Sequence, residues 1–357
     1  MKIAVYAMAL NEAAHVDRWA ASAVDADYRV VADTGSTDST VSLLRDAGVT
    51  VTSIAVRPWR FDTARNAALA LVPADADICI ALDLDAFLPS GWRTILEKHW
   101  TPQTTRLWHT YHYLNNTGAV MRTWLHGKVH TRCNYRWYRA VHEDLVHVRD
   151  AGVDHTCNQF IINEIQDSAK DRTSYRLLLQ VAVEEDPSDS QAWYWLAREH
   201  ESAGDAENAG QAYRRYLELP SGQPLLRSES MLRLAWLEPA DYRAWLFKAM
   251  LETQSRPDLW LGMAERFHQA GDWADLLWAC TWGLEQIREG AGSGLPEASP
   301  AARLYDLGAI AALRQGLGTR ALALGLEAVR LSPSDPRLLS NIHYYEAAAR
   351  TERGTTA

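Results

Sequence analysis

The sequence has few features of secreted or membrane proteins. It contains only four cysteines, which are widely spaced and form no C-x-x-C pair, so no disulfide framework is expected. No apolar run approaches the length of a membrane-spanning helix, and the first residues, MKIAVYAMALNE, lack a signal-peptide cleavage pattern. We therefore expect a cytoplasmic protein without a membrane segment.

Positive charge and glycine-rich phosphate loops are also scarce. The formal net charge is −9, which disfavours nucleic acid as a partner because it provides no general attraction to phosphates. The turn after the first apolar run reads ALNEAAH and lacks the G-x-G-x-x-G pattern of a Rossmann dinucleotide site. Any phosphate group must therefore be bound by other means.

The 357 residues are enough for two domains, and the first half alternates between strand and helix patterns. Apolar runs predict strands at residues 3–10, 28–32, 49–54 and 78–82. Helical patterns occur at residues 13–23 and 92–100, and a further one follows the TGSTDST turn and ends near residue 47. This alternation predicts an α/β domain with an open parallel sheet, which binds ligands beyond the carboxyl ends of its strands.

Two carboxylates, Asp83 and Asp85, directly follow the apolar run at residues 78–82. A buried carboxylate is costly without a cation or a hydrogen-bond donor, so this pair favours a hard divalent metal. A strand that runs into an acidic surface turn is the simpler alternative. Asn11 and Asp33 end other predicted strands, so we expect them at the same edge of the sheet.

Four motifs in the first 90 residues together resemble glycosyltransferase family 2, which has the GT-A fold. They are Asn11-Glu12, DTGSTDST from Asp33, RFDTARNAAL from Arg60, and DLD from Asp83 to Asp85. The resemblance implies a Rossmann-like GT-A catalytic domain with a mostly parallel sheet over residues 1–168. It further implies a nucleotide-diphosphate sugar donor, with a lean towards a UDP-sugar, and a divalent metal cofactor, Mn²⁺ or Mg²⁺.

The resemblance also implies which residues line the nucleotide-sugar pocket. They are Leu10, Asn11, Glu12, Asp33, Gly35, Ser36, Arg65, Asn66, Asp83 and Leu84. By this resemblance Asp33 would face the base, and Arg65 and Asn66 would lie near the diphosphate. Asp83 and Asp85 would hold the ribose and the metal, and His155 matches the position of a further metal ligand. A single histidine is more often structural, and that alternative stays open for His155.

The motif His142-Glu143-Asp144 resembles the acidic catalytic motif of GT-A enzymes. An inverting transferase needs a carboxylate that takes the proton from the attacking acceptor. Glu143 is the first choice for this base and Asp144 is the alternative. A supporting role for Glu143 is the simpler reading.

Residues 121–148 are dense in basic and aromatic side chains. The basic residues are Arg122, Lys128, Arg132, Arg136 and Arg139. They could bind a diphosphate or an acceptor, although such interleaving is also typical of single-strand nucleic-acid binding and of a solvated sheet edge.

Residues 169–357 have helical patterns only, in copies close to the tetratricopeptide spacing. Each helix pair has an apolar face that its neighbour must cover, which predicts an all-α solenoid with most tryptophans in its core. Such a module would bind an acceptor protein or a second copy of the chain.

These patterns lead to a hypothesis of an inverting, metal-dependent glycosyltransferase that acts on a peptide or protein. A saccharide, a lipid-linked glycan or a modified nucleobase is an alternative acceptor. A catalytically inactive scaffold that binds a protein partner is the alternative from another functional class. The sequence does not indicate which sugar would be transferred.

Overall fold

The computed structural model of the chain describes residues 1–148, 152–165, 175–253, 256–290 and 300–355. The chain divides into two compact units, residues 1–185 and residues 186–357. The domain boundary expected at residues 168 and 169 lies outside the described residues. None of the helices in the described ranges combines the length and hydrophobicity that a membrane span needs.

The first unit is an α/β structure. Its strands are β1 Ile3–Ala9, β2 Tyr28–Asp33, β3 Thr50–Ser53, β4 Ile78–Ala81, β5 Ala86–Phe87, β6 Thr104–Leu114, β7 Val120–Thr131, β8 Tyr135–Tyr138, β9 Asp144–His147 and β10 Val153–Ile165. Its helices are α1 Val16–Ser22, α2 Thr40–Asp46, α3 Phe61–Leu71, α4 Trp92–His99 and α5 Tyr175–Glu185, with a short 3-10 turn at Ala13–His15. The strands and helices expected in the first 100 residues are confirmed to within a few residues.

Eight strands form one sheet in the order β3-β2-β1-β4-β7-β6-β10-β5. The first four of these are mutually parallel, β7 is antiparallel to both of its neighbours, and β6 and β10 run parallel to each other. A separate two-stranded sheet pairs β8 with β9. The parallel arrangement brings the carboxyl ends of β1, β2 and β4 to the same edge.

Both faces of the large sheet are covered, because alternate strand residues enter two different cores. One core contains Trp19 of α1 and Trp92 of α4, and the other contains Ala68 of α3 and Trp137 of β8. Burial on both faces explains why β4 reads as a continuous apolar run in the sequence.

A buried polar chain links β8 to the centre of the sheet. The Trp137 indole donates a hydrogen bond to the Tyr6 hydroxyl at 2.8 Å, and that hydroxyl lies 2.9 Å from Nε2 of His130. His130 Nδ1 lies 2.9 Å from the Thr131 carbonyl oxygen, which can only accept. His130 therefore donates through Nδ1. Because burial lowers its pKa to about 4, the ring is neutral at pH 7 and Nε2 accepts from the Tyr6 hydroxyl.

The second unit consists of helices only. They are α6 Ser190–Ser202, α7 Ala206–Glu218, α8 Pro224–Leu237, α9 Tyr242–Glu252, α10 Pro257–Ala270, α11 Trp273–Gly290, α12 Pro300–Arg314, α13 Gly318–Leu331 and α14 Pro336–Thr355. Local signals explain several ends: Asp189 caps α6 with its carboxylate, proline occupies the first turn of α8 and α10, and Gly271 ends α10 in the left-handed conformation.

Each helix of this unit packs against the next one along the chain, and α8, α10, α12 and α14 also pack in succession. This stack is the solenoid-like arrangement expected from the repeats. Asp306 of α12 is buried within it and accepts hydrogen bonds from Arg303 at 2.7 Å and from Arg337 of α14 at 2.9 Å. The carboxylate therefore joins two successive layers of the stack.

Two buried histidines should make the first unit sensitive to mild acid. Burial lowers the pKa of both His109 and His130 to about 4, so the folded chain keeps them neutral while the unfolded chain binds protons below about pH 6.5. Between pH 6.5 and 4 the free energy of unfolding should fall by about 1.4 kcal/mol per pH unit for each ring. Urea denaturation at several pH values should show a shallower slope for His130→Gln, and an unchanged slope would contradict the assignment.

The buried carboxylate of Asp306 should destabilise the fold only when it loses its two arginine partners. A double variant, Arg303→Met with Arg337→Met, leaves a buried carboxylate unpaired and should lower the free energy of unfolding by about 3–5 kcal/mol. Adding Asp306→Asn should recover part of that loss, because it removes the buried charge. Chemical denaturation of both variants measures the difference, and equal stabilities would show that the carboxylate does not depend on the arginines.

Candidate functional site

Polar loops follow β1 and β2 at the carboxyl edge of the sheet. Both oxygens of Asp33 accept hydrogen bonds from the loop backbone, from Gly35 N at 3.2 Å and from Ser36 N at 3.1 Å. The Asn11 side chain accepts from Thr37 N at 2.8 Å. A carboxylate can accept about four hydrogen bonds, so Asp33 has lone pairs beyond these two bonds, but the residue is only 3% exposed.

The other residues expected around the nucleotide are distributed unevenly. Leu10 is exposed beside Asn11, and the Glu12 backbone N–H donates to Thr40 Oγ1 at 2.8 Å. Leu84, in contrast, packs inside the hydrophobic core, so its side chain cannot reach a ligand at the edge. Asp33 and Asp83 lie on opposite sides of β1, two strand spacings or roughly 10 Å apart.

Four charged side chains are linked by ion pairs at the turn after β4, and we call them the charge cluster: Arg65, Asp83, Lys128 and Glu143. Arg65 Nη1 donates to Asp83 Oδ1 at 2.7 Å, and Lys128 Nζ donates to Asp83 Oδ2 at 2.7 Å. Arg65 Nε donates to Glu143 Oε1. One guanidinium thus bridges the turn after β4 and the segment before β9.

The cluster contains two carboxylates and two cations, and the opposite charges favour the ionised forms of Asp83 and Arg65. Burial would raise the pKa of Asp83, but Arg65 and Lys128 outweigh it and hold that pKa well below its usual range. Burial likewise opposes the charge of Arg65, and the carboxylates Asp83 and Glu143 raise its pKa well above its usual range. The formal charges of the two carboxylates and the two cations add up to zero.

Helix α3 positions Arg65 through the residue beside it. Asn66 makes two hydrogen bonds with the backbone of Trp137, one donated to its carbonyl and one accepted from its N–H, both 2.8 Å long. The Arg65 guanidinium carbon also lies 4.9 Å from the centre of the Trp137 ring. Asn66 is therefore a clamp between α3 and β8, and no ligand contact is needed to explain it.

The two candidate bases have different surroundings. Glu143 belongs to the charge cluster, whereas Asp144 pairs with Arg139 at 2.5 Å and keeps 49% of its side-chain surface exposed. Among the described residues, the non-glycine residues with positive φ are Asn11, Arg139 and His142. Asn11 follows β1 at the carboxyl edge of the sheet, and Arg139 and His142 lie in the segment that carries Glu143 and Asp144. Backbone in such rare conformations is concentrated at functional sites.

Asp85 has a carboxylate neighbour that the sequence analysis did not identify. Burial and the nearby Asp85 raise the pKa of Glu164, and Tyr111 donates a hydrogen bond to Glu164 at 2.7 Å. The sequence at the end of β10 is FIINEI, in which Asn163 and Glu164 together break an apolar run, and this break is the signal in the sequence that could have indicated Glu164.

The expected metal ligands are not brought together. His155 lies on the exposed start of β10 opposite Leu107, while the end of that strand, opposite Leu114, meets the Asp85 carbonyl. Seven residues of β6 separate these two points, roughly 23 Å. Among the described residues, no group of three or more histidine, cysteine, aspartate or glutamate side chains is placed to hold a metal ion.

Asp83 itself fits a metal poorly. Each of its oxygens has a cationic nitrogen 2.7 Å away, and a divalent ion at the same oxygens would meet two like charges in a partly buried site. The donor set around Asp83 therefore does not fit a resident divalent metal.

Most of the other basic residues in 121–148 lie away from the charge cluster. Arg132 donates to the Val72 carbonyl at 2.9 Å, and Arg136 is exposed on β8. Trp124 is partly exposed beside the buried Tyr111, with ring centres 5.0 Å apart. Lys128, on the part of β7 next to β4, is the one of these basic residues whose side chain is directed to Asp83.

Comparison with known proteins gives similarity to helical repeat structures. No family model matches the chain, and no curated protein matches it. One similar solved structure is MamA, with 14% sequence identity over 44% of this chain and 86% of that chain, and a TM-score of 0.37. A second is YrrB, described as a TPR protein with an unusual peptide-binding site, with 16% identity over 46% of this chain and 80% of that chain, and a TM-score of 0.38. A third is TTC0263, described as a thermophilic TPR protein in Thermus thermophilus, with 19% identity over 49% of this chain and 88% of that chain, and a TM-score of 0.30. With TM-scores this low, the description of the helical unit depends on its own helix packing.

Removal of the bridging guanidinium should destabilise the first unit in a pH-dependent manner. Arg65→Met leaves Glu143 without its cation and Asp83 with one of two, so the free energy of unfolding should fall by about 3 kcal/mol at pH 7. A depressed carboxyl pKa contributes stability above the unfolded value of about 3.9, and this contribution disappears as the pH falls below it.

The deficit of Arg65→Met should therefore shrink when urea denaturation is repeated near pH 3, about one unit below the unfolded value. Arg136→Met, which removes an exposed arginine from the neighbouring strand, is the matched control and should change stability by less than about 0.5 kcal/mol. A deficit that is the same at both pH values would contradict a charge-based role.

Proposed function

We propose that the first unit is a GT-A-type glycosyltransferase that moves a sugar from a nucleotide-diphosphate donor to a peptide or protein, with inversion. The observation that carries this proposal is the position of the charge cluster. A candidate base, Glu143, and two cations, Arg65 and Lys128, lie at the carboxyl edge of a mostly parallel sheet. The Asp33 loop lies roughly 10 Å away at the same edge.

The two ends of this edge suit the two ends of a nucleotide. The Asp33 loop offers a carboxylate with remaining acceptor capacity for the N–H groups of a base or the hydroxyls of a ribose. The charge cluster offers cations for the diphosphate. This division supports the proposed nucleotide-sugar donor, with a UDP-sugar as the expected class.

In the proposed reaction Glu143 takes the proton from the acceptor nucleophile as that nucleophile attacks the anomeric carbon. The bond from this carbon to the diphosphate oxygen breaks, and its electron pair leaves with the diphosphate. Arg65, which holds Glu143, keeps the carboxylate in place and lies near the developing negative charge. Asp144 is the weaker candidate because its partner, Arg139, is not a member of the charge cluster.

A divalent cation, Mn²⁺ or Mg²⁺, stays a prediction from the family resemblance. Such an ion would supply positive charge to the departing diphosphate. No step above depends on it, because the residues at Asp83 do not fit it as they are arranged.

The helical unit supports a peptide or protein as the acceptor. It exposes large apolar side chains on several helices, among them Trp236, Phe247, Trp282 and Tyr344. A groove of about 510 Å³ between α12 and α14 is lined by Ile310, Leu313, Arg314, Asn341, Tyr344 and Tyr345. Exposed aromatic side chains next to polar ones are typical of peptide-binding surfaces.

One observation favours the scaffold alternative. The charge cluster neutralises itself completely, so it is also explained as a buried network that only joins α3, β7 and the segment before β9. In this alternative the helical unit alone carries the function, by binding a protein partner.

Donor turnover separates the two functions. The protein is incubated with a panel of nucleotide sugars, with Mn²⁺, with Mg²⁺ and with EDTA, and released nucleoside diphosphate is measured. We expect turnover with one donor, and a loss of about 100-fold or more in Glu143→Gln because general-base catalysis contributes that much. Asp144→Asn is the matched control and should retain activity within about tenfold.

If no donor is bound or hydrolysed under any of these conditions, the scaffold function replaces the transferase. If Asp144→Asn is the inactive variant, the base is Asp144. The configuration of the transferred sugar, read by NMR, tests inversion separately.

A further inference from the structure

The partners of Asp83 point to a site for a different kind of ligand. We propose that Arg65 and Lys128 form a diphosphate-binding site that works without a resident divalent metal, and that Asp83 is the internal counter-ion that the diphosphate displaces. The inference rests on the proposed function for the identity of the nucleotide, but binding of the diphosphate group itself can be tested independently.

The two cations have the chemistry that a diphosphate requires. A guanidinium presents a planar set of N–H donors and an ammonium presents three, and both bind phosphate oxygens through charge-assisted hydrogen bonds. Each already donates to one oxygen of Asp83 at 2.7 Å. A phosphate oxygen pair can take the place of a carboxylate oxygen pair at the same two donors.

Both cations are held in place by contacts other than Asp83. The Arg65 guanidinium packs over the Trp137 ring and donates to Glu143, and Lys128 Nζ lies 5.2 Å from the centre of the Tyr111 ring. They therefore stay directed to the same point when Asp83 turns away. Such preorganisation lowers the cost of binding.

The exposure of the cluster indicates where a ligand would enter. The side chain of Asp83 is 21% exposed, about twice the exposed fraction of Arg65 or Lys128. Asp83 is therefore the member that faces solvent and the one that a ligand would meet first. When a diphosphate takes the place of Asp83 at the two cations, it becomes their new counter-ion, so the cations are never buried without an anion.

The arrangement also links binding to the proposed chemistry. In the structure the four charges of the cluster add up to zero. If Glu143 accepts a proton, the remaining three have a net charge of +1 at the moment the diphosphate becomes a leaving group. The chain's own side chains thus supply the positive charge that a metal would otherwise provide.

Calorimetric titration of the full-length chain with inorganic pyrophosphate, in buffer with EDTA, tests this site. We expect wild-type protein to bind, Lys128→Met to lose about tenfold or more in affinity, and Lys128→Arg to retain it, since a charged hydrogen bond is worth that much. Arg136→Met is the matched control, because this exposed arginine lies outside the cluster, and it should bind like wild type.

Asp83→Asn gives the sharpest result. If Asp83 competes with the ligand for the cations, its neutral variant should bind pyrophosphate more tightly than wild type in EDTA. If Asp83 instead holds a metal that binds the diphosphate, wild type should bind only when Mn²⁺ or Mg²⁺ is present, and Asp83→Asn should not bind. Circular dichroism of each variant checks that it is folded, and Asp83→Asn preserves the test if Lys128→Met does not fold.

Absence of pyrophosphate binding by wild type in EDTA would overturn the inference. Donor turnover that requires Mn²⁺ would then leave the proposed glycosyltransferase function intact. Conversely, pyrophosphate binding without turnover of any nucleotide sugar would retain this site and remove the proposed function.

Discussion

The first unit depends on one buried guanidinium. Arg65 cannot be removed from water without compensation, and the structure supplies two carboxylates from distant parts of the chain, Asp83 and Glu143. Helix α3, the turn after β4 and the segment before β9 must therefore come together at one point. The Asn66 clamp on Trp137 and the Tyr6–His130 hydrogen bond hold the adjoining strands in the same arrangement.

This constraint also gives the edge of the sheet its chemical character. In a parallel sheet the carboxyl ends of neighbouring strands converge, so side chains that follow β1, β2 and β4 face a common space. At one end of that space a loop is closed by Asn11 and Asp33, and at the other a carboxylate is neutralised by two cations. A site with paired opposite charges can exchange an internal anion for an external one, which a purely acidic site cannot do.

The helical unit is organised by a different principle. Its stability is distributed along the stack, because each helix covers the apolar face of its neighbour and contacts are local in the sequence. Asp306 adds a buried polar link between two layers. Several aromatic side chains, among them Trp236, Phe247, Trp282 and Tyr344, are exposed on the surface of this unit.

Much of this protein could be predicted from its sequence, because periodicity and turn residues act locally. The apolar run at 78–82, the helical repeats in the second half of the chain and the acidic strand ends were all recognisable in this way. The partners of those acidic residues were not. Lys128 reaches Asp83 because β7 pairs beside β4, and His155 lies roughly 23 Å from Asp85 because of the register between β6 and β10. Strand order and register join residues that are far apart in the chain, so only the tertiary structure decided that Asp83 faces two cations and that His155 does not join it.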